Sequence, residues 1–160
     1  MKKIFLTFAT AALFSVSAFA TGGGKKANET TVNVSYTVQH QFATDFSEAQ
    51  NVTWTVTKNC QKADFTIDGT KKTAFYNLAG DFLGTTQVVG YAAIPAKSKK
   101  QIAEQYKDYT ADGVIVYQAN QALNDSIDPT SYFVDLKSSS HEILVQVTGN
   151  GSVEFFQQVY

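Results

Sequence analysis

The 160-residue chain carries 13 Lys plus Arg against 14 Asp plus Glu, a net charge of −1, with one Cys and no Arg. The near-neutral balance and the missing Arg, the residue that grips phosphates and base edges with two hydrogen bonds, exclude a nucleic-acid partner. A single cysteine, Cys60, excludes an intramolecular disulfide, and a chain of this length can bury a core without one.

Residues 1–20 have the pattern of a signal peptide. Lys2 and Lys3 precede an apolar run from Ile4 to Val16, and Ala18-Phe19-Ala20 follows as a small-x-small cleavage site. The run is too short to span a bilayer. Cleavage predicts a mature chain from Thr21, with 11 Lys against 14 acids and a net charge of −3. No Cys stands at the cleavage point to carry a lipid, and no later segment is apolar for long enough to cross a membrane. Residues 21–34, rich in Gly, Lys and Thr, read as a flexible lead, and residues 35–160 as one domain.

Val38, Phe42 and Phe46, four apart, predict a helix over 36–50. The period then changes to two. Val52, Trp54 and Val56 alternate with threonines, and further strands are predicted at 63–67, 73–78 and 82–89, with Asp68-Gly69 and Gly80-Asp81 as turns. A second helix starts at Pro95, presents Ile102, Tyr106 and Tyr109 on one stripe, and is expected to end at Gly113. Strands are predicted at 114–117, 132–136, 143–147 and 153–160, the last two joined by Asn150-Gly151. Phe65-Thr66-Ile67-Asp68 matches Tyr132-Phe133-Val134-Asp135, so the order helix plus four strands occurs twice. The expected fold class is α+β: an antiparallel β-sheet with two helices packed on one face, from a diverged αββββ tandem repeat.

No catalytic constellation emerges. His40 and His141 lie outside any nucleophile motif, and two isolated histidines are a weak start for a metal site. Cys60 reads as a partly buried thiol. Asn124 to Asp128 lacks the Gly and the closing Glu of a calcium loop, Gly22-Gly23-Gly24 lacks the context of a phosphate loop, and Lys97, Lys99 and Lys100 read as a solvated helix face. The expectation is therefore no enzyme, no catalytic or metal-binding residue and no cofactor. The mature chain has 17 aromatic residues, many alternating along strands. Tyr76, Tyr117, Tyr132, Phe155 and Tyr160 are expected on the sheet face turned away from the helices. With Trp54, the first four are the candidate partner-binding residues, because aromatic side chains dominate binding hot spots.

Phe42 and Phe46, Asn51-Val52-Thr53-Trp54, Phe65-Thr66-Ile67-Asp68-Gly69, Ala74-Phe75-Tyr76 with Gly80, Ile94-Pro95, and Tyr132-Phe133-Val134 before a closing Gly-Asn-Gly hairpin resemble the periplasmic PepSY-like proteins of Gram-negative bacteria. These are also called β-lactamase-inhibitor-like. The resemblance covers residues 36–159, and its motifs are mostly aromatics, turns and a Pro cap. It implies a periplasmic protein without catalytic residues, and secretion beyond the outer membrane stays open. The expected function is a non-enzymatic binding protein that recognises an envelope protein or peptide through its open sheet face. The alternative is a small-ligand-binding or envelope-stress protein with a pocket between sheet and helices.

Overall fold

Alternating apolar and polar residues over most of the chain build strands, and two short stretches of helical period interrupt them. The computed structural model describes residues 33–123 and 125–159. Residues 1–20, expected to be a signal peptide, residues 21–32 of the expected lead, Asn124 and Tyr160 lie outside the described residues. The order is α1 (Tyr36–Asp45), β1 (Gln50–Val56), β2 (Gln61–Ile67), β3 (Thr70–Tyr76), β4 (Phe82–Val89), α2 (Ala96–Gln105), β5 (Thr110–Ala119), β6 (Thr130–Lys137), β7 (Glu142–Val147) and β8 (Val153–Val159). The strands form one eight-stranded sheet in which each pairs antiparallel with the next in sequence.

Ser35 starts α1, its Oγ accepting from the Val38 N–H at 3.2 Å. This satisfies one of the donors left free at a helix start. The helix ends earlier than its apolar spacing predicts. Phe46 leaves helical geometry at φ −130° and ψ 55°, and its N–H closes on the Phe42 carbonyl. Phe46 still packs on the core, so the apolar spacing continues beyond the helix that produced it. Pro95 precedes α2, where a missing N–H costs nothing. Gly113 does not end this helix. It lies inside β5, next to an irregularity in the pairing between Ala111 and Gly113. Tyr106 and Tyr109 follow the helix, pack edge to face on each other at 6.1 Å between ring centres, and flank the core under it.

Strand register shows that both helices cover the same face. Ala74 faces Thr85 and Thr85 faces Gln118, while Val89 faces Val114 and Val114 faces Val134. Residues paired across a ladder share a face. Under α1, Val38 and Phe42 meet Ala63, Phe65, Ala74 and Tyr76. Under α2, Ile94 and Ile102 meet Val114, Val134, Leu136, Val145 and Val147. Each helix-plus-four-strands unit thus carries its own apolar cluster, and β4 and β5 join the two through six cross-strand pairs.

Candidate functional site

The face away from the helices carries Thr73, Phe75, Thr86, Val88, Ile115, Tyr117, Ser131, Phe133 and Leu144, as the register dictates. Gly84 sits among them with φ 149°, and a Cβ there would lie 2.3 Å from the Gln118 carbonyl and 2.9 Å from the Tyr117 ring. That space lets Tyr117 lie across β4 and donate its hydroxyl to the Leu83 carbonyl at 2.9 Å. Phe133 packs edge to face on Phe156 at 4.9 Å. Val88, beside Ile115, remains 64% exposed. Tyr117, Val88, Phe133 and Phe156 therefore share this face across β4, β5, β6 and β8, with Val88 exposed, Tyr117 and Phe156 half-buried and Phe133 buried.

A charged corner adjoins this group. Lys137 reaches Asp112, Asp135 at 3.8 Å and Glu142 at 3.7 Å, three carboxylates around one ammonium. Asp135 Oδ1 is buried without a hydrogen-bond partner. Burial, aided by the charge of Glu142 and opposed by Lys137, pushes the Asp135 carboxyl up to about 6. Lys137 is itself held above its usual value, first by its hydrogen bond to Asp112.

The five sequence-predicted residues do not share one surface. Tyr117 occupies the open face as expected. Tyr76 and Tyr132 lie instead on the helix-covered face: Tyr76 is fully buried in the cluster under α1, and Tyr132 packs on the cluster under α2. Alternation separates two faces but does not say which one the helices cover, so their placement could not be read from period two alone. Tyr76 Oη is buried without a hydrogen-bond partner, and burial, then the Asp45 charge, raises its pKa. Trp54 packs edge to face on Phe42 at 5.2 Å on the helix side of β1. Phe155 is 59% exposed on the edge strand β8. Val88 and Phe156 were missed. Val88 reads as an ordinary strand residue, and Phe156 follows Phe155, which pairs with Val145 on the helix side, so alternation places Phe156 on the open face beside Phe133.

A groove of about 320 Å³ opens between α1 and β1. Phe42, Phe46, Ala43, Ala49, Val52 and Trp54 form its apolar walls, with Gln39 and Ser47 at the rim.

The hydrogen bonds that reach the nucleophile candidates are local. Cys60 Sγ meets Thr57 Oγ1 at 3.4 Å inside the β1–β2 hairpin. His141 Nδ1 meets Ser140 Oγ at 2.7 Å in an exposed turn. A serine next in sequence to its histidine, with no carboxylate on the other ring nitrogen among the described residues, lacks the orienting third group of a triad. Among the described residues no three His, Cys, Asp or Glu converge as metal ligands, and no helix is long and apolar enough to cross a membrane.

No family model and no curated protein matches the chain. Among solved structures, a BLIP-like protein from Bacteroides fragilis matches with a TM-score of 0.64 at 16% identity, over 80% of this chain and 88% of that one. The chain has the BLIP-like fold. A DUF2874 family protein from Bacteroides uniformis gives 0.68 at 13% identity, over 78% and 90%. A Bacteroides eggerthii protein named for the periplasm gives 0.66 at 14%, over 79% and 88%. The likeness expected from the aromatic and turn motifs thus holds for the BLIP-like fold, and at these identities it is a likeness of fold alone.

Proposed function

We propose that the protein is an exported, non-enzymatic binding protein of the periplasm that recognises a protein or peptide through the open face of its sheet. Residues 1–20 would direct export, and residues 35–160 would form the binding domain. The observation that carries this reading is Val88, 64% exposed on the face that neither helix covers, beside the half-buried rings of Tyr117 and Phe156, with Phe133 buried beneath them. An exposed apolar side chain beside rigid, partly exposed aromatics suits a protein contact, because rings bury much area for little lost freedom. Likeness in fold to BLIP-like and periplasm-named proteins supports the class of function without naming a partner. Affinity capture from envelope extract with wild type and Val88→Asp tests it. A partner held by wild type should bind the variant at least about tenfold more weakly, the loss expected when a central contact of an interface fails. Equal capture by both would remove the open face from consideration.

The groove between α1 and β1 favours a second reading, a small apolar ligand. Its volume of about 320 Å³ lies at the low end of ligand pockets, roughly 300–1,000 Å³. Filling it with Ala43→Leu should abolish any thermal stabilisation by such a ligand, and a screen that finds none in wild type removes the reading.

A further inference from the structure

The β7–β8 hairpin turns at Asn150-Gly151, and Asn150 is the one Asn in the chain that Gly follows. Such a pair carries its own chemistry. The main-chain nitrogen after an Asn can attack the side-chain Cγ and close a succinimide ring. A side chain on the following residue crowds that approach, and Gly has none. Asn77-Leu78 and Asn120-Gln121, which also stand in loops, lack this access.

The turn readies one partner of this reaction and holds back the other. Asn150 is exposed, and its Oδ1 accepts from the Thr148 hydroxyl and from the Ser152 N–H, both at 2.8 Å. Two donors on one amide oxygen draw charge toward it and stabilise the oxyanion that attack at Cγ creates. The nucleophile is the Gly151 nitrogen. Gly151 is buried, its N–H donates to the Thr148 carbonyl at 2.8 Å, and its own carbonyl accepts from the Ser98 hydroxyl at 2.8 Å. α2 lies close over it: a Cβ on Gly151 would stand 3.4 Å from Ser98 Oγ and 3.8 Å from Lys97 Cδ. While these bonds hold, hydroxide cannot reach the amide proton and the nitrogen cannot turn toward Cγ.

We propose that Asn150 is a site of spontaneous deamidation, which the folded hairpin locks and which opening of the hairpin from α2 releases. Once the lock opens, hydroxide takes the Gly151 amide proton and the nitrogen bonds to Asn150 Cγ. The Cγ–Nδ2 bond breaks, and the amine leaves as ammonia with a proton from water. Water then opens the succinimide at either carbonyl, to aspartate or isoaspartate, so the sum is one water consumed and one ammonia released. The product adds a negative charge beside Asp128, whose Oδ2 accepts from the Gly149 N–H at 3.0 Å. Isoaspartate also lengthens the turn by routing the main chain through Cβ, which keeps the hairpin off α2 once the change is made. This lies beyond the open-face reading and does not depend on it.

Peptide mapping by mass spectrometry at alkaline pH tests it, reading the fraction of Asn150 converted over time. The urea-unfolded chain should convert, and the folded protein should convert at least about tenfold more slowly, because only its open fraction reacts. Ser98→Ala should raise the folded rate about tenfold, by removing the buried hydrogen bond on the Gly151 carbonyl. Val38→Ala, a cut in the cluster under α1, should raise it less, with urea midpoints showing that both variants are folded. A folded protein that converts as fast as the unfolded chain or faster, an unfolded chain that does not convert at Asn150, or a Ser98→Ala rate at or below that of Val38→Ala overturns the proposal.

Discussion

Two buried polar atoms without partners define the residue scale. Tyr76 Oη sits in an aromatic nest, with Trp54 at 6.1 Å and Phe82 at 5.4 Å between ring centres. Its ring fills space, and its hydroxyl stays uncompensated, so Tyr76 reads as a core residue that retains a polar handle. Asp135 is the more consequential of the two. Its pKa rises from 3.8 to about 6 in the folded protein. Between those values the folded state holds a proton that the unfolded chain has released, so the contribution of Asp135 to stability is greatest below about pH 4 and is lost as pH rises through about 6. Asp135→Asn should therefore raise the unfolding temperature at pH 7.5 and flatten its dependence on pH between 4 and 6. Thermal melts across that range check both, and a variant that melts below wild type at pH 7.5 would show that Lys137 outweighs the burial and the two neighbouring acids.

At the scale of elements, the ties between helix and sheet are few and specific. Ser98 on α2 is fully buried and donates to the Gly151 carbonyl at 2.8 Å. Gln101, one turn on, accepts from the Val153 N–H at 3.3 Å. Together they fasten α2 to the β7–β8 hairpin. Ser98→Ala should cost about 1–3 kcal/mol, because the Gly151 carbonyl is left without its partner, and the loss should appear as a lower midpoint in urea unfolding. This tie was not legible in the sequence, where Ser98 reads as part of a polar helix surface among lysines. The strands were legible because alternation and the Asp68-Gly69 and Asn150-Gly151 turns act locally. Register was less so: irregular pairing near Gln50, Ala111 and Leu144 shifts which residues share a face, and no local pattern announces it. The same limit applies to the candidate site. Tyr117 was found because it alternates on a strand, while Tyr76 and Tyr132 alternate equally well and face the helices.

At the scale of the whole molecule, two apolar clusters share one sheet. The seam between them is held by the β4–β5 ladder, by Tyr117 on the Leu83 carbonyl, and by the Asn120 side chain donating to the Phe82 carbonyl at 2.9 Å. Trp54, the one tryptophan, lies beside the cluster under α1, so its fluorescence reports that half. Leu136→Ala, in the other half, should cost about 2–5 kcal/mol through the cavity it leaves, and a continuous ladder should pass that loss on to the Trp54 signal. Circular dichroism and fluorescence should then give one shared transition, and a Trp54 midpoint unmoved by Leu136→Ala would show that the halves unfold separately. The strand order has a consequence in time as well. Every ladder joins neighbours in sequence, and the widest loop any of them closes runs from Gly84 to Ala119, across α2. Contacts this local shorten the search for a sheet of eight strands. A chain delivered N-terminus first could add each strand as it arrives, without holding an earlier one open for a distant mate.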